Sequence, residues 1–124
     1  MKDKFSYLKE KEIENKLLCH KIDIPIYKCA VKIIFDKQAK QLEKEWRGTI
    51  SGFGGLTRDF LKESGIVLIS FPNKKPKTED VVHEFYHAVD LIMNYIGHKN
   101  SSSSDEPSAY LIGYLIKEFK KIKP

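Results

Sequence analysis

The sequence predicts an α+β domain. Two segments rich in branched and aromatic residues, 25–35 and 66–71, have the composition of strands. Helix-forming residues at helical spacing occupy 5–20, 36–46, 78–96 and 107–122. The order helix, strand, helix, strand or strands, helix, helix indicates the α+β class. Because 124 residues suffice for one domain with its own core, we predict a single domain over residues 1–124.

The composition excludes several classes of protein. A content of 41% apolar and 11% aromatic residues argues against disorder. No apolar run approaches the roughly 20 residues of a membrane span, and the N-terminal residues alternate in charge where a signal peptide is apolar. We therefore expect a cytoplasmic protein with reduced cysteines and no membrane partner. The net charge of +5 comes mainly from lysines interspersed with acidic residues, so we expect no nucleic-acid partner.

In the first half of the chain, the elements follow from periodicity and glycine content. Loosely spaced apolar residues predict an amphipathic helix over 5–20, followed by the strand at 25–35. Strong helix formers predict a second helix over 36–46. The glycine-punctuated segment 48–56 can form a bent strand, a hairpin or a loop. It is not a GxGxxG phosphate-binding motif, because Thr57 stands where the third glycine would be.

The second half has clearer boundaries. Segment 66–71 is a run of apolar, mostly branched residues that predicts a buried strand. Thr78 can cap the next helix, which is expected to run to about residue 96 and stop at Gly97. A polar loop over 98–105 then leads to the last helix, whose first turn accepts Pro107.

The helix predicted over 78–96 carries an HExxH motif, which reads HEFYH at residues 83–87. Because a helix advances 100° per residue, His83 and His87 stand one turn apart on one face. Two imidazoles at this spacing can hold one tetrahedral zinc ion through bonds of about 2.0–2.1 Å. Glu84 projects to one side, where it can reach a metal-bound water without occupying the metal.

The rest of this helix is expected to have two distinct faces. An apolar stripe would anchor it in the core; the stripe consists of Val82, Phe85, Val89, Ile92 and Ile96. A separate polar line contains His83, His87, Asp90 and Asn94. The alternative to a metal site is a surface histidine pair without metal.

Catalytic zinc takes three protein ligands, so a third ligand is required. Glu106 ranks first, because small residues near it, Ala109 and Gly113, would let the last helix approach the histidine helix closely. Its alternative role is a carboxylate at the positive end of a helix dipole. His98 is the second candidate, and its alternative is an exposed loop histidine. Asp90 is better interpreted as a carboxylate that orients an imidazole.

With these residues the sequence resembles the zincin metallopeptidases, and within them the gluzincins. Gluzincins carry HExxH on one helix and supply a glutamate ligand from a following helix. The resemblance covers about residues 66–115, and 18 residues separate His87 from Glu106. In size the chain is similar to minigluzincins and to small HExxH proteins of phages and prophages with a DExxAY-type segment, here DEPSAY at 105–110. A metzincin pattern is absent, since Met93 stands where its third histidine would be.

The resemblance implies a minimal zincin-like fold, in which a small mixed sheet packs against the HExxH helix and a following glutamate-bearing helix. It implies a zinc cofactor held by His83, His87 and Glu106. Glu84 would act as general base, and Tyr110 or His98 would stabilise the oxyanion.

The implied activity is hydrolysis of peptide bonds in a peptide or protein substrate, by a monomer. By analogy of fold, segment 48–56 would supply the edge strand along which the substrate aligns. Two alternatives stay open. One is a virion or assembly protein that keeps a zincin fold and zinc without turnover. The other is a binding module or a toxin–antitoxin-like regulator whose HExxH motif is vestigial.

Overall fold

A computed structural model describes residues 20–35, 39, 54–99, 101 and 103–122. They form a four-stranded mixed sheet with helices, which confirms the α+β class. The strands are β1 (His20–Ile24), β2 (Cys29–Phe35), β3 (Leu56–Phe60) and β4 (Ile66–Phe71). The helices are α1 (Leu61–Ser64), α2 (Thr78–Tyr95) and α3 (Glu106–Phe119). The helix predicted over 5–20 lies outside the described residues up to residue 19, as do most of segment 48–56 and the helix predicted over 36–46, of which only the helical Ala39 is described.

The sheet has the order β1–β2–β4–β3, with a parallel pair at its centre and an antiparallel strand at each edge. Both central strands are buried along their whole length, which explains their nearly continuous apolar sequences. The strand predicted at 66–71 is therefore confirmed as β4. The edge strand β1 was not predicted, and β3 begins at Leu56, the last residue of the segment that was expected to supply an edge strand.

The strand predicted over 25–35 is correct only from Cys29 onward. Residues Pro25–Tyr27 instead form a 3-10 turn that joins β1 to β2, closed by Lys28 with a φ of 54°. Pro25 has no N–H to donate to a ladder, so it favours a turn over a continued strand. His20, placed at the end of the first predicted helix, is the first residue of β1.

Alternating side chains of the sheet enter two apolar clusters. The larger cluster lies against α2 and α3 and includes Val31, Ile33, Ile69 and Phe71, all essentially inaccessible to solvent. The smaller cluster, on the opposite face, contains Ile34 and five other buried side chains. Cys29 belongs to the larger cluster, and burial raises the pKa of its thiol, which keeps it protonated.

Helix α2 occupies almost the whole predicted range. Gly97, at a φ of 80°, ends it: the Gly97 N–H donates to the Asn94 carbonyl (3.1 Å) and the His98 N–H to the Met93 carbonyl (2.9 Å). This is the Schellman arrangement, for which glycine is favoured because it lacks a Cβ. The predicted cap at Thr78 is wrong. Thr78 is already helical, Lys77 occupies the cap position in an extended conformation, and no side chain bonds the cap.

The buried face of α2 is rotated from the predicted stripe. Val82 and Ile96 are 45% and 37% exposed, whereas Val81, Ala88 and Met93 are buried. Phe85, Val89 and Ile92 are buried as predicted. The difference arises because α2 is covered on one side by the sheet and on another by α3, so its buried surface is wider than a single stripe.

Helix α3 packs against α2 and the sheet mainly through Leu111 and Leu115, which are buried. At its C-terminal end the Phe119 ring lies 5.4 Å from the Phe85 ring at 87°, a favourable edge-to-face contact. The small residues expected to allow close approach are both exposed, and a Cβ at Gly113 would meet nothing within 4 Å. Large side chains therefore set the spacing of these two helices.

None of the helices in the described residues combines the length and the hydrophobicity that a membrane-spanning segment requires.

Candidate metal centre

A cavity of about 610 Å³ lies between α2 and the start of β3. Residues 54–57 form one wall, and one face of α2 forms the other. The helix contributes Asp80, His83, Glu84, His87, Asp90 and Leu91. The HExxH motif therefore faces an open cleft bordered by an edge strand of the described sheet.

The two histidines of the motif point their rings into this cleft toward a common point. Their Nε2 atoms are 3.1 Å apart, and the ring centroids are 4.7 Å apart at 78°. Two zinc–nitrogen bonds of about 2.0–2.1 Å at a tetrahedral angle would place the nitrogens about 3.3–3.4 Å apart. The pair therefore has nearly the spacing that shared zinc coordination requires. The same contact is a hydrogen bond when one Nε2 carries a proton and the other does not.

Glu84 is buried, with 6% of its surface exposed, whereas His83 and His87 are both exposed. Its Oε1 atom accepts a hydrogen bond of 2.7 Å from the Thr57 hydroxyl. Its Oε2 atom lies 3.9 Å from Nε2 of His83. One carboxylate oxygen is thus held by the strand, and the other faces the histidine pair. This places an acid–base group beside the candidate metal position.

Sequence reasoning missed Thr57, which lies 27 positions before Glu84. In β3 it pairs with Ile69 of β4, on the face that packs against α2. The signal that could have identified it is strand alternation in the segment LTRDF. This alternation places the side chains of Thr57 and Asp59 on one face of the strand and those of the other three residues on the opposite face. That alternation does not show which face meets the helix, because the pairing register decides it.

Two glycines allow the strand to approach α2 at this point. A Cβ at Gly55 would lie 2.7 Å from Cγ of Glu84 and 3.0 Å from a ring carbon of Phe71. A Cβ at Gly54 would collide with the carboxylate of Asp80. Of the predicted segment 48–56, the described residues thus form the wall of the cleft, and the edge strand itself begins at Leu56.

Gly55→Ala is expected to lower the free energy of unfolding by about 1–3 kcal/mol, because the middle of the Glu84 side chain or the Phe71 ring must move. Urea unfolding measures the change. Gly113→Ala is the matched control. Its Cβ would meet nothing, so this substitution in the middle of α3 should stabilise the fold by about 0.5–1 kcal/mol. Equal stability of the Gly55→Ala variant and the unmodified protein would contradict the close approach.

The structure places Glu106 and Tyr110 elsewhere. Both line a second cavity of about 650 Å³ together with residues 24–27, Leu111 and Tyr114. Glu106 is exposed, and Tyr110 is 75% exposed. The Tyr114 hydroxyl donates to the Asp23 carbonyl (2.6 Å), which ties this side of α3 to β1. In this conformation neither predicted residue reaches the cleft.

His98 also stays outside the cleft. Its Nε2–H donates to the Ser104 carbonyl (2.7 Å), and the Ser104 hydroxyl donates to the Lys99 carbonyl (3.0 Å). These bonds give His98 a structural role in joining the ends of the loop.

The motif residues are therefore assembled, but a third ligand is not. Among the residues that the structure describes, no group of three histidine, cysteine or acidic side chains stands at metal-binding geometry. The additional carboxylates of the cleft are Asp80 and Asp90. Asp90, expected to orient an imidazole, lies on the same wall as His87, one turn further along α2.

Comparison with known proteins does not assign the chain to a family. No family model matches the chain, and neither a curated protein nor a solved structure matches it.

Proposed function

We propose that the protein is a zinc-dependent metallopeptidase of the gluzincin type, which hydrolyses peptide bonds in peptides or proteins. One observation carries the proposal. Two imidazole nitrogens 3.1 Å apart share a cleft with a buried carboxylate whose free oxygen lies 3.9 Å from the nearer of them. A histidine pair with a structural role on an exposed helix face has no need of such a carboxylate.

The spacing of the histidine pair fits two ligand positions of a zinc ion. His83 and His87 would be two ligands, and imidazole nitrogen is a preferred donor for this metal. Glu106 is our proposed third ligand, and it would have to leave the second cavity, which it lines, in order to reach the histidines. When bound here, zinc would polarise the substrate carbonyl and lower the pKa of a water molecule toward neutrality.

Glu84 supplies the acid–base chemistry in this proposal. Its Oε2 atom accepts a proton from the attacking water and passes it to the departing amine nitrogen. Low exposure of the side chain limits competing contacts with solvent. The position of Oε2 beside His83, with Oε1 engaged by Thr57, supports this role.

Strand β3 is our proposed platform for the substrate. It forms one edge of the described sheet, and its first residues line the cleft opposite α2. An edge strand offers backbone N–H and C=O groups that can pair with an extended peptide. A substrate bound in this way would lie in the cleft whose opposite wall carries His83 and His87.

Metal content and cleavage together test the function. The unmodified protein should bind about one zinc ion per chain and cleave members of a peptide library. A zinc chelator should abolish the cleavage, and added zinc should restore it. Absence of zinc binding would overturn the metal site. Bound zinc without any cleavage would instead support the alternative of a zinc-containing structural protein.

The third ligand is tested by a pair of variants. Glu106→Gln should weaken zinc binding roughly 10-fold or more, because an amide is a poorer ligand than a carboxylate. His98→Ala should leave the zinc affinity unchanged, since His98 binds the Ser104 carbonyl. Competition with a chromophoric chelator measures both affinities. Normal binding by Glu106→Gln combined with weak binding by His98→Ala would exclude the gluzincin ligand set.

A further inference from the structure

We propose that Thr57 is a positioning residue that holds Glu84 in the orientation its acid–base role requires. This inference rests on the proposed function, because it assigns the residue that aims the general base. Residues 55–57 of the cleft wall make three contacts with Glu84, two with its buried side chain and one with its main-chain carbonyl.

The first contact is the hydrogen bond from the Thr57 hydroxyl to Oε1 of Glu84, at 2.7 Å. A glutamate carboxylate rotates easily about its last torsion, which has a broad energy profile. Binding one oxygen fixes that torsion and directs the other oxygen. Here the directed atom is Oε2, 3.9 Å from Nε2 of His83. Hydrogen bonds to charged acceptors are short and strong, so this bond can determine the orientation.

The second contact anchors the same hydroxyl to the helix itself. Oγ1 of Thr57 also lies 3.3 Å from the main-chain carbonyl oxygen of Glu84. The hydroxyl has one hydrogen, which it donates to the nearer Oε1, so the contact with the carbonyl oxygen is the weaker branch of a bifurcated hydrogen bond. Threonine is suited to this task because its branched Cβ restricts the first side-chain torsion, which holds the hydroxyl in place.

The third contact confines the middle of the Glu84 side chain. The backbone at Gly55 approaches so closely that a Cβ there would lie 2.7 Å from Cγ of Glu84. Residues 55–57 thus contact the side chain at its stem through Gly55 and at its head through Thr57. A catalytic group that is held at both ends loses little conformational entropy when the substrate binds, which favours efficient proton transfer.

The test compares Thr57→Val with Thr57→Ser. Valine keeps the branched shape and removes the hydroxyl, whereas serine keeps the hydroxyl. For Thr57→Val we expect kcat to fall roughly 10- to 100-fold, with KM within about two-fold of the unmodified protein and zinc content unchanged. Thr57→Ser should keep kcat within about three-fold, because the bond to Glu84 can still form. Assays run well below both unfolding temperatures exclude loss of folded protein as the cause.

Three kinetic outcomes would overturn the assignment: an unchanged kcat in Thr57→Val, an effect confined to KM, or equal losses of kcat in the valine and serine variants. Crystal structures of the two variants provide a readout that needs no activity. Glu84 should keep its orientation in Thr57→Ser and turn away from His83 in Thr57→Val. If the unmodified protein cleaves no peptide, the proposed function fails, and the structures alone decide whether Thr57 positions Glu84. An unmoved carboxylate in Thr57→Val then refutes it.

Discussion

Glu84→Gln is expected to lower kcat for peptide cleavage by roughly 10²- to 10⁴-fold while zinc content stays unchanged. Glutamine has nearly the same shape, and its side-chain oxygen can still accept the hydrogen bond from Thr57. It cannot accept a proton from water at neutral pH, so only the acid–base step is lost. Cleavage of a peptide substrate and metal analysis of the same preparation measure the two effects separately.

The control for this variant is Glu79→Gln, the same substitution in the first turn of α2. Glu79 is exposed and does not line the cleft, so its replacement should leave kcat unchanged.

Thermal unfolding of the Glu84→Gln protein is a second control. Glu84 is only 6% exposed, and a neutral amide avoids the cost of burying a charge. The Glu84→Gln protein should therefore be at least as stable as the original. Full activity in this variant would exclude Glu84 as the general base.

His83→Ala and His87→Ala are each expected to weaken zinc binding roughly 10²- to 10³-fold, because each removes one of a small set of ligands. The two effects should be similar, since each histidine would supply one imidazole nitrogen to the same ion and the two Nε2 atoms are 3.1 Å apart. Isothermal titration calorimetry with zinc, or competition with a chelator, gives the affinities.

Stability and a neighbouring substitution provide the controls for the histidine variants. The His83 side chain is 65% exposed, so its removal should change the free energy of unfolding by less than about 1 kcal/mol. Asn94→Ala changes an exposed residue further along α2 that does not line the cleft, and zinc affinity should not respond. If either histidine variant bound zinc as tightly as the unmodified protein, the HExxH pair would not be the metal site.

The elements predicted correctly depend on local information. β4 is recognisable because six successive apolar or small residues suit a strand covered on both faces. The end of α2 follows from Gly97, since glycine adopts a positive φ at little cost. The histidine pair follows from helix geometry alone, which places residues four positions apart on one face. Each of these inferences uses interactions within a few residues of chain.

The elements missed depend on contacts between distant segments. The turn at Pro25–Tyr27 occupies the start of the segment predicted as a strand, and β1 becomes a strand through its pairing with β2. The buried face of α2 is set by the sheet and by α3 together, which is why Val82 is exposed despite its apolar side chain. Neither partner surface can be read from the periodicity of a single helix.

The candidate site likewise combines features set by local sequence with features set by contacts between distant segments. His83, Glu84 and His87 can be identified from the sequence, because their chemistry and spacing on a helix suffice to bring them together. Three other features require the folded chain: Thr57 binds Glu84, Gly55 packs against the stem of that side chain, and Glu106 lines another cavity. These positions depend on strand register and on how helices dock. Such arrangements are selected by packing over the whole core rather than by any local preference of the chain.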